Sequence, residues 1–244
     1  IIAITGTNGK TTTTTLVGEI FKNSGRKTFV VGNIGDPIIN YIEEANEEDA
    51  FIAEISSFQL ETIENFKPVM TTILNISPDH LDRHKTMENY IDAKYRIIEN
   101  MNEENIFVLN KDDSVLSLRK TPNVKVLAFS IKEKVRQGAY YDGESIILVD
   151  QDEEYTICKR KELKIPGMHN VQNALAAVVL SYFGGVSIQV IQDTLLSFKG
   201  VEHRLEFVSE IDGITFINDS KGANTDASTI AIKAFDTPIV LIAG

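Results

Sequence analysis

The 244-residue chain is 43% hydrophobic, so it is long and apolar enough to bury at least one domain-sized core. Its 35 acidic residues outnumber the 24 basic ones, and the net charge of −11 argues against nucleic acid or an anionic membrane as a partner. The apolar runs fall well short of the roughly 20 residues that span a bilayer, so we expect no membrane insertion and a cytoplasmic location.

The first predicted strand leads directly into a glycine loop and a helix. Ile1 to Ile4 predict a buried strand, and the sequence TGTNGKT then precedes apolar residues at helical spacing. N–H groups at a helix N-terminus bind anions, a lysine such as Lys10 reaches terminal phosphates, and a hydroxyl such as that of Thr11 holds Mg²⁺. The general pattern GxxxxGK(S/T) requires its first glycine where Ile4 stands, so the shorter GTNGKT carries the prediction of a phosphate loop. An ordinary glycine turn is the alternative.

Polar side chains follow the next three predicted strands at the point where each strand ends. Asn33, Glu54 and His80 occupy these positions. Strands that alternate with helices predict a parallel sheet, which binds ligands at the carboxyl ends of its strands, so we expect these side chains to meet the phosphate loop. Each has an alternative as a solvated or turn residue, and Ser56 has one as a helix cap with Gln59. The strands are predicted at Lys27–Val31, Ala50–Ala53 and Val69–Ile76.

A helix is predicted from Met87 to Met101. Apolar residues recur along it at helical spacing and define a buried stripe, with acidic residues on the opposite face. Lys94 lies in the middle of the stripe, where burial disfavours the charged form and frees the amine as a nucleophile. Addition of CO₂ to that amine would create a carbamate, which is a carboxylate-like metal ligand. The alternative is a lysine that extends its charged end to the surface.

Residues 105–165 show a different pattern. Short strand-like segments separated by polar turns, with Asp142-Gly143 between two of them, predict a small antiparallel section. An alanine-rich helix is then predicted at 171–182, and His169, Asn170 and Asn173 at its start are either cap residues or ligand contacts. The strand-like segments are Ile106–Leu109, Val124–Leu127 and Ser145–Val149.

A domain boundary is predicted at residue 200, where Lys199-Gly200 ends a helix at 186–198. The first domain, 1–200, would hold the phosphate loop, and 201–244 would begin a second domain. The predicted class is α/β: a P-loop parallel sheet flanked by helices, a small antiparallel section, and a truncated Rossmann-like second domain. The second domain is predicted to contain strands near 205–208 and 214–218, a helix near 226–235 and a strand at 239–243.

Eight ordered motifs together resemble the Mur ligases, and the resemblance extends over the whole chain. Within that family, SSFQLE together with GNIG favours the members that add D-glutamate. The motifs are TGTNGKTT at 5–12, GNIG at 32–35, EISSFQLE at 54–61, NISPDHLDRH at 75–84, AKYRI at 93–97, GMHNVQNALAA at 167–177, HRLE at 203–206 and NDSKGAN at 218–224.

The resemblance implies an ATP-dependent ligase that uses two Mg²⁺ ions to join UDP-N-acetylmuramoyl-L-alanine and D-glutamate in peptidoglycan synthesis, through an acyl phosphate. It assigns catalysis to Lys10, Glu54, His80 and Lys94, and metal binding to Thr11, Glu54, His80 and carbamylated Lys94. It assigns substrate binding to Asn33, Ser56 and His80. It assigns ATP binding to Gly6, Thr7, Asn8, Gly9, Lys10, Thr11, Thr12, Asn173, Arg204, Asp219 and Lys221.

We also expect a monomer. The chain departs from the family in two respects. It lacks the N-terminal domain that binds UDP and most of the C-terminal domain that contacts D-glutamate, so the chain alone is expected to bind nucleotide, with ligation left to a longer protein. Ala223 stands where members often carry a hydroxyl residue. The alternatives are a diaminopimelate- or lysine-adding Mur ligase, a folylpolyglutamate synthase, or a nucleotide-binding fragment without turnover.

Overall fold

A computed structural model describes residues 1–121, 123–222, 225–235 and 237–243, without the side chain of Asp226. Its main feature is a nine-stranded sheet, parallel through its first seven strands and antiparallel in the last two, which confirms the α/β class. The strands are β1 Ile2–Thr5, β2 Thr28–Gly32, β3 Ala50–Glu54, β4 Met70–Ile73, β5 Ile106–Asn110, β6 Lys125–Ser130, β7 Gly138–Tyr141, β8 Ser145–Asp150 and β9 Glu153–Lys159. Their spatial order is β2-β3-β1-β4-β5-β6-β7-β8-β9.

Helices cover both faces of this sheet. Successive side chains of a strand point to opposite faces, and accordingly Ile4 of β1 joins one core cluster while Ala3 joins the other. The helices are α1 Lys10–Asn23, α2 Ser57–Leu60, α3 Leu81–His84, α4 Met87–Tyr95, α5 Ser114–Leu118, α6 Met168–Phe183, α7 Ile188–Ser197 and α8 Thr225–Ile232. The first core packs α1, α6 and α7 against one face of the sheet, and the second core packs α2 and α4 against the other face.

The strand register brings the carboxyl ends of the first four strands to one edge. Ile4 pairs with Glu54, Gly32 pairs with the same glutamate, and Thr5 pairs with Ile73. The loops that follow β1 to β4 therefore begin side by side. This confirms that the polar residues after these strands share an edge with the glycine loop.

The antiparallel section is smaller than the sequence predicts. The hairpin of β7 and β8 turns at Asp142-Gly143 as expected, but β5 and β6, which contain the segments at 106–109 and 124–127, are parallel members of the main sheet. Those two assignments to an antiparallel section are wrong. An apolar strand pattern carries no direction; the crossover through α5 returns the chain to the same edge, and this makes the next strand parallel.

Two predicted elements end earlier than expected. In each case the residues after the end form side-chain hydrogen bonds to other segments of the chain. The helix predicted to Met101 ends at Tyr95 and continues as one 3₁₀ turn, where Arg96 donates to the carbonyls of Glu61 and Ile63. The strand predicted to end at Ile76 stops at residue 73, because Ile76 N donates to a carboxylate of the loop after β5 at 2.7 Å.

Residues 206–218 form a separate two-stranded sheet. Its strands, β10 Glu206–Ile211 and β11 Ile214–Asn218, are antiparallel around a turn at Asp212-Gly213. The strand predicted at 239–243 is wrong: these residues are exposed and no described strand pairs with them, and a β-strand exists only with a partner for its ladder. The division into two domains at residue 200 stays a prediction.

No helix within the described ranges is long and apolar enough to cross a membrane. Cys158 is buried in the first core cluster, and burial raises the pKa of its thiol to about 12, as suits a packing residue. Ala223, where the family often has a hydroxyl, lies outside the described residues.

Replacing Gly18 with alanine is expected to destabilise the fold. A Cβ on this residue of α1 would lie 2.3 Å from Cγ2 of Val30 in β2, and overpacking of this kind costs about 1–3 kcal/mol. That cost exceeds the gain of up to about 1 kcal/mol in helix propensity. Urea unfolding of Gly18→Ala and wild type measures the difference.

The Val30→Ala background supplies the control, since it removes the obstructing methyl group. There, Gly18→Ala should raise the free energy of unfolding. If Gly18→Ala stabilises both backgrounds equally, α1 does not pack on β2 as described.

Candidate active site

The glycine loop between β1 and α1 closes around its own backbone. Gly9 precedes α1 with a φ of +83°, and a Cβ there would meet Asn173 Oδ1 at 2.3 Å, so only glycine fits. Lys10 Nζ donates to the carbonyls of Gly6 and Thr7 at 2.9 and 2.8 Å. The first turn of α1 lines a cavity of about 560 Å³, and the backbone N–H groups that a helix leaves unpaired there are suited to phosphate.

The loop after β4 is hydrogen-bonded to the glycine loop. Asn8 N donates to Asn75 Oδ1 at 2.8 Å, and Asn75 Nδ2 donates back to the Asn8 carbonyl at 3.0 Å. Thr7 Oγ1 donates to the Ser77 carbonyl at 3.1 Å and lies 3.1 Å from the hydroxyl of Tyr90. Sequence reasoning did not select Asn75 or Tyr90; their places at the carboxyl end of β4 and on α4 are the signals that would have found them.

Lys94 lies beneath the glycine loop. It is only 2% exposed, and its Nζ donates to the Gly6 carbonyl at 2.8 Å and lies 4.7 Å from the centre of the Tyr90 ring. The prediction that Lys94 is buried is confirmed, and the alternative of an extension to the surface is wrong. Burial, reinforced by the nearby charge of Lys10, holds the pKa of Lys94 well below its usual range.

Glu54 brings a buried carboxylate to the same cavity. Its Oε1 accepts a hydrogen bond from Asn33 Nδ2 at 2.7 Å, while its buried Oε2 has no hydrogen-bond partner among the described residues. A buried carboxylate oxygen without a partner is costly unless a cation or donor completes it. The position of Glu54 is therefore suited to a bound cation.

Charged groups from three separate segments meet around Lys10. Burial lowers the pKa of Lys10, the negative charges of Glu54 and Asp79 oppose this, and Arg204 adds to it. Asp79 lines the cavity beside His80, whose Nε2 lies 3.7 Å from Asp79 Oδ2 and whose side chain is half exposed. Asp79 is another residue that sequence reasoning quoted within a motif without selecting it.

The second sheet supplies the wall opposite the glycine loop. Leu205 N donates to Asp219 Oδ1 at 3.1 Å, and Arg204 Nη1 donates to the Lys221 carbonyl at 2.8 Å, so these side chains come from one connected unit. Asn173, on α6, donates to Asn170 Oδ1 at 3.0 Å between the two walls. Three segments that are remote in sequence thus enclose one cavity.

Most of the predicted site residues line this cavity, and three do not. Gly6 and Lys94 lie behind the lining, joined by their hydrogen bond. Ser56 accepts from Gln59 N and its own N–H bonds Gln59 Oε1, so its predicted capping alternative is confirmed and its substrate contact stays a prediction. The lining includes Thr7, Asn8, Gly9, Lys10, Thr11, Thr12, Asn33, Glu54, His80, Asn173, Arg204, Asp219 and Lys221.

The predicted metal ligands fit a cation only as a mixed set. Across the described ranges, no three His, Cys, Asp or Glu side chains come close enough to hold a metal ion. The predicted set has only Glu54 and His80 of these types and draws on Thr11 and a carbamate of Lys94 for the rest. The unpartnered Oε2 of Glu54 is the observation that supports a cation in this cavity.

Comparison with known proteins shows which family this chain belongs to. The model of the Mur ligase middle domain matches residues 4–181, so the chain belongs to the Mur ligase family. At the level of fold, the chain is similar to MurF from Acinetobacter baumannii, with a TM-score of 0.71 and 22% identity over 96% of this chain and 53% of that one. It is also similar to a pseudomurein peptide ligase type C from Methanothermus fervidus, with a TM-score of 0.75 and 22% identity over 97% of this chain and 56% of that one.

Relatives at higher identity belong to one enzyme type. The chain is 57% identical to the UDP-N-acetylmuramoylalanine–D-glutamate ligase of Thermoanaerobacter sp. strain X514, and 49% identical to the enzyme of that name from Clostridioides difficile strain 630. Each match covers all of this chain and 54% of the relative. The chain therefore spans about half the length of these relatives.

Replacing Lys94 with methionine is expected to change how stability depends on pH. Because the Lys94 pKa is lowered from 10.5 in the folded chain, the unfolded chain binds more protons between the lowered pKa and 10.5, and wild-type stability rises with pH across this window. As the pH falls from 10.5, the wild type should lose stability relative to Lys94→Met. The total loss should be about 1.4 kcal/mol for each unit by which folding lowers the Lys94 pKa. Urea unfolding in CO₂-free buffer at several pH values measures this.

Lys67→Met provides the matched control, since Lys67 is exposed. It should leave the pH dependence unchanged. A stability difference between Lys94→Met and wild type that stays constant with pH would show that the Lys94 pKa is not lowered.

Proposed function

We propose that this chain is the catalytic part of an ATP-dependent amide ligase that adds D-glutamate to UDP-N-acetylmuramoyl-L-alanine in peptidoglycan synthesis. The observation that carries the proposal is a single cavity where the Lys10 loop meets a buried, half-unpartnered Glu54, with Lys94 directly beneath. The 57% identity to a D-glutamate ligase supports the choice of amino acid over diaminopimelate or lysine.

The glycine loop binds the phosphates of ATP. Gly9 to Thr12 present backbone N–H groups and hydroxyls, Gly6 to Asn8 shape the loop, and Lys10 moves its amine from the loop carbonyls to the terminal phosphate. Asn173 binds the adenine. Arg204, Asp219 and Lys221 on the opposite wall close over the ribose and phosphates, where Arg204 adds positive charge.

The buried carboxylate of Glu54 is one of four proposed metal ligands. Thr11, Glu54, His80 and Lys94 hold two Mg²⁺ ions, which when bound neutralise the phosphates and the attacking carboxylate. For this role the Lys94 nitrogen bonds to the carbon of CO₂ and loses a proton, which gives a carbamate anion. The lowered pKa supports this step, because the neutral amine is the reactive form.

The substrate carboxylate and the ATP phosphates repel each other, and the cavity lowers that barrier by electrostatic preorganisation. Asn33, Ser56 and His80 orient the muramoyl substrate so that its carboxylate takes the terminal phosphoryl group. The amine of D-glutamate then attacks the acyl phosphate, forms the amide through a tetrahedral intermediate and displaces phosphate. Asn33 is already fixed by its hydrogen bond to Glu54.

The remaining proposals concern the whole protein. Residues 1–200 form the central ATP-binding domain and 201–244 begin the C-terminal domain; the UDP-binding domain lies outside this chain. The protein acts as a cytoplasmic monomer without a nucleic-acid or membrane partner, and the net charge of −11 supports the exclusion of nucleic acid.

Replacing Lys94 with alanine in the full-length protein is expected to abolish ligation. The rate of D-glutamate-dependent phosphate release should fall by at least about 100-fold, because a metal ligand is lost, and added acetate should restore part of it. Lys10→Ala should weaken nucleotide binding as well as the rate. Lys134→Ala, at an exposed lysine paired with Glu154, is the control and should keep full activity.

The same assay separates the competing functions. Phosphate release that requires lysine, diaminopimelate or a folate substrate in place of D-glutamate would identify the alternative ligases. Nucleotide binding without phosphate release under any of these conditions would identify a binding module. Full activity of Lys94→Ala would remove the carbamate from the mechanism.

A further inference from the structure

A row of aromatic rings runs from beneath the glycine loop to the cavity mouth. The Tyr90 ring, which Lys94 Nζ overlies, contacts the His84 ring at 5.2 Å between centroids. His84 stacks on Phe58 at 5.5 Å with only 8° between the planes, and Phe58 contacts His80 at 5.0 Å. The row therefore joins Lys94 and His80, two of the proposed metal ligands. The three side chains between them, Tyr90, His84 and Phe58, do not line the cavity.

His84 has polar contacts at both nitrogens of its ring. It is 5% exposed, its Nε2 lies 3.0 Å from Ser57 Oγ, and its Nδ1 lies 3.3 Å from Glu61 Oε1. Burial lowers the pKa of His84, against the influence of Glu61, and so favours the neutral ring. Nε2 and the Ser57 hydroxyl share a hydrogen bond whose direction depends on the tautomer of the ring, and the Glu61 carboxylate lies beside Nδ1.

These contacts connect the two segments that carry the predicted ligands. Ser57 begins α2, only three residues after Glu54 at the end of β3. His84 ends α3, whose first turn starts directly after His80, a residue with a left-handed φ of 51°. A shift of His84 against Ser57 would therefore move His80 relative to Glu54.

We propose that His84 is a positioning residue that holds the His80 ring in register with Glu54, through Ser57 and the stack on Phe58. The inference rests on the proposed function in taking His80 as a metal ligand. A residue that orients a ligand from outside the coordination shell typically contributes 10–100-fold to metal affinity or activity. General packing alone would stabilise the fold without acting through His80.

The test measures metal affinity directly in the full-length protein. Free Mn²⁺ is counted by electron paramagnetic resonance in the presence of a non-hydrolysable ATP analogue. His84→Ala should weaken Mn²⁺ binding about 10- to 100-fold. Binding of the analogue in EDTA should stay within about twofold of wild type, because the hydrogen bonds of the glycine loop do not involve His84.

The His80→Ala background decides whether His84 acts through His80. There, His84→Ala should have no further effect on Mn²⁺ affinity, whereas independent contributions would multiply. An additional loss of the same size, or an unchanged affinity in the single variant, overturns the inference. Should His84→Ala not fold, Ser57→Ala removes the bond to Nε2 alone and should weaken Mn²⁺ binding by the same route.

Asn105→Ala is the matched control for lost stability. Asn105 is a buried polar residue whose side-chain Oδ1 accepts a hydrogen bond from Asn102 N. It precedes β5, at the edge of the sheet opposite the cavity. It should leave Mn²⁺ affinity unchanged even where unfolding in urea shows a comparable loss. If the wild type binds Mn²⁺ but does not ligate D-glutamate, the proposed function fails while the cycle still tests His84.

Discussion

One carbonyl oxygen, that of Gly6, accepts hydrogen bonds from two lysine amines, and the site depends on this arrangement. Lys10 reaches it from the start of α1 at 2.9 Å, and Lys94 reaches it from α4 at 2.8 Å. Burial lowers the pKa of both amines, and the nearby charge of Lys10 lowers the pKa of Lys94 further. The glycine loop thus rests on a buried amine, and the negative charges that oppose the lowering of both pKa values come from Glu54 and Asp79.

The sheet explains how such distant residues meet. Parallel strands place their carboxyl ends together, so the loops after β1, β3 and β4 begin side by side. Hydrogen bonds then fix the loops to each other, as Asn75 does for Asn8 and Asn33 does for Glu54. The register of the strands therefore brings the loops together, and side-chain hydrogen bonds fix them to each other. Arg204, Asp219 and Lys221 line the opposite side of the cavity.

The sequence was sufficient for the local chemistry. The glycine loop, the capping box at Ser56 and the burial of Lys94 each follow from short-range pattern, because a helix N-terminus, a cap and a helical stripe are defined within a few residues. The alternation of strands and helices also predicted the parallel sheet and the edge that carries the site. The family motifs agree with the match to residues 4–181.

Other features were decided by the tertiary structure alone. The direction of β5 and β6 depends on how the chain crosses over, which an apolar run does not record. Residues 239–243 form no strand because no strand in the described part of the chain pairs with them. The contact of His84 with Ser57 and the unpartnered Oε2 of Glu54 likewise arise between remote segments. By itself the sequence determined the local elements and predicted which residues carry the chemistry, and only the fold decided which of them touch, because burial and pairing depend on neighbours far along the chain.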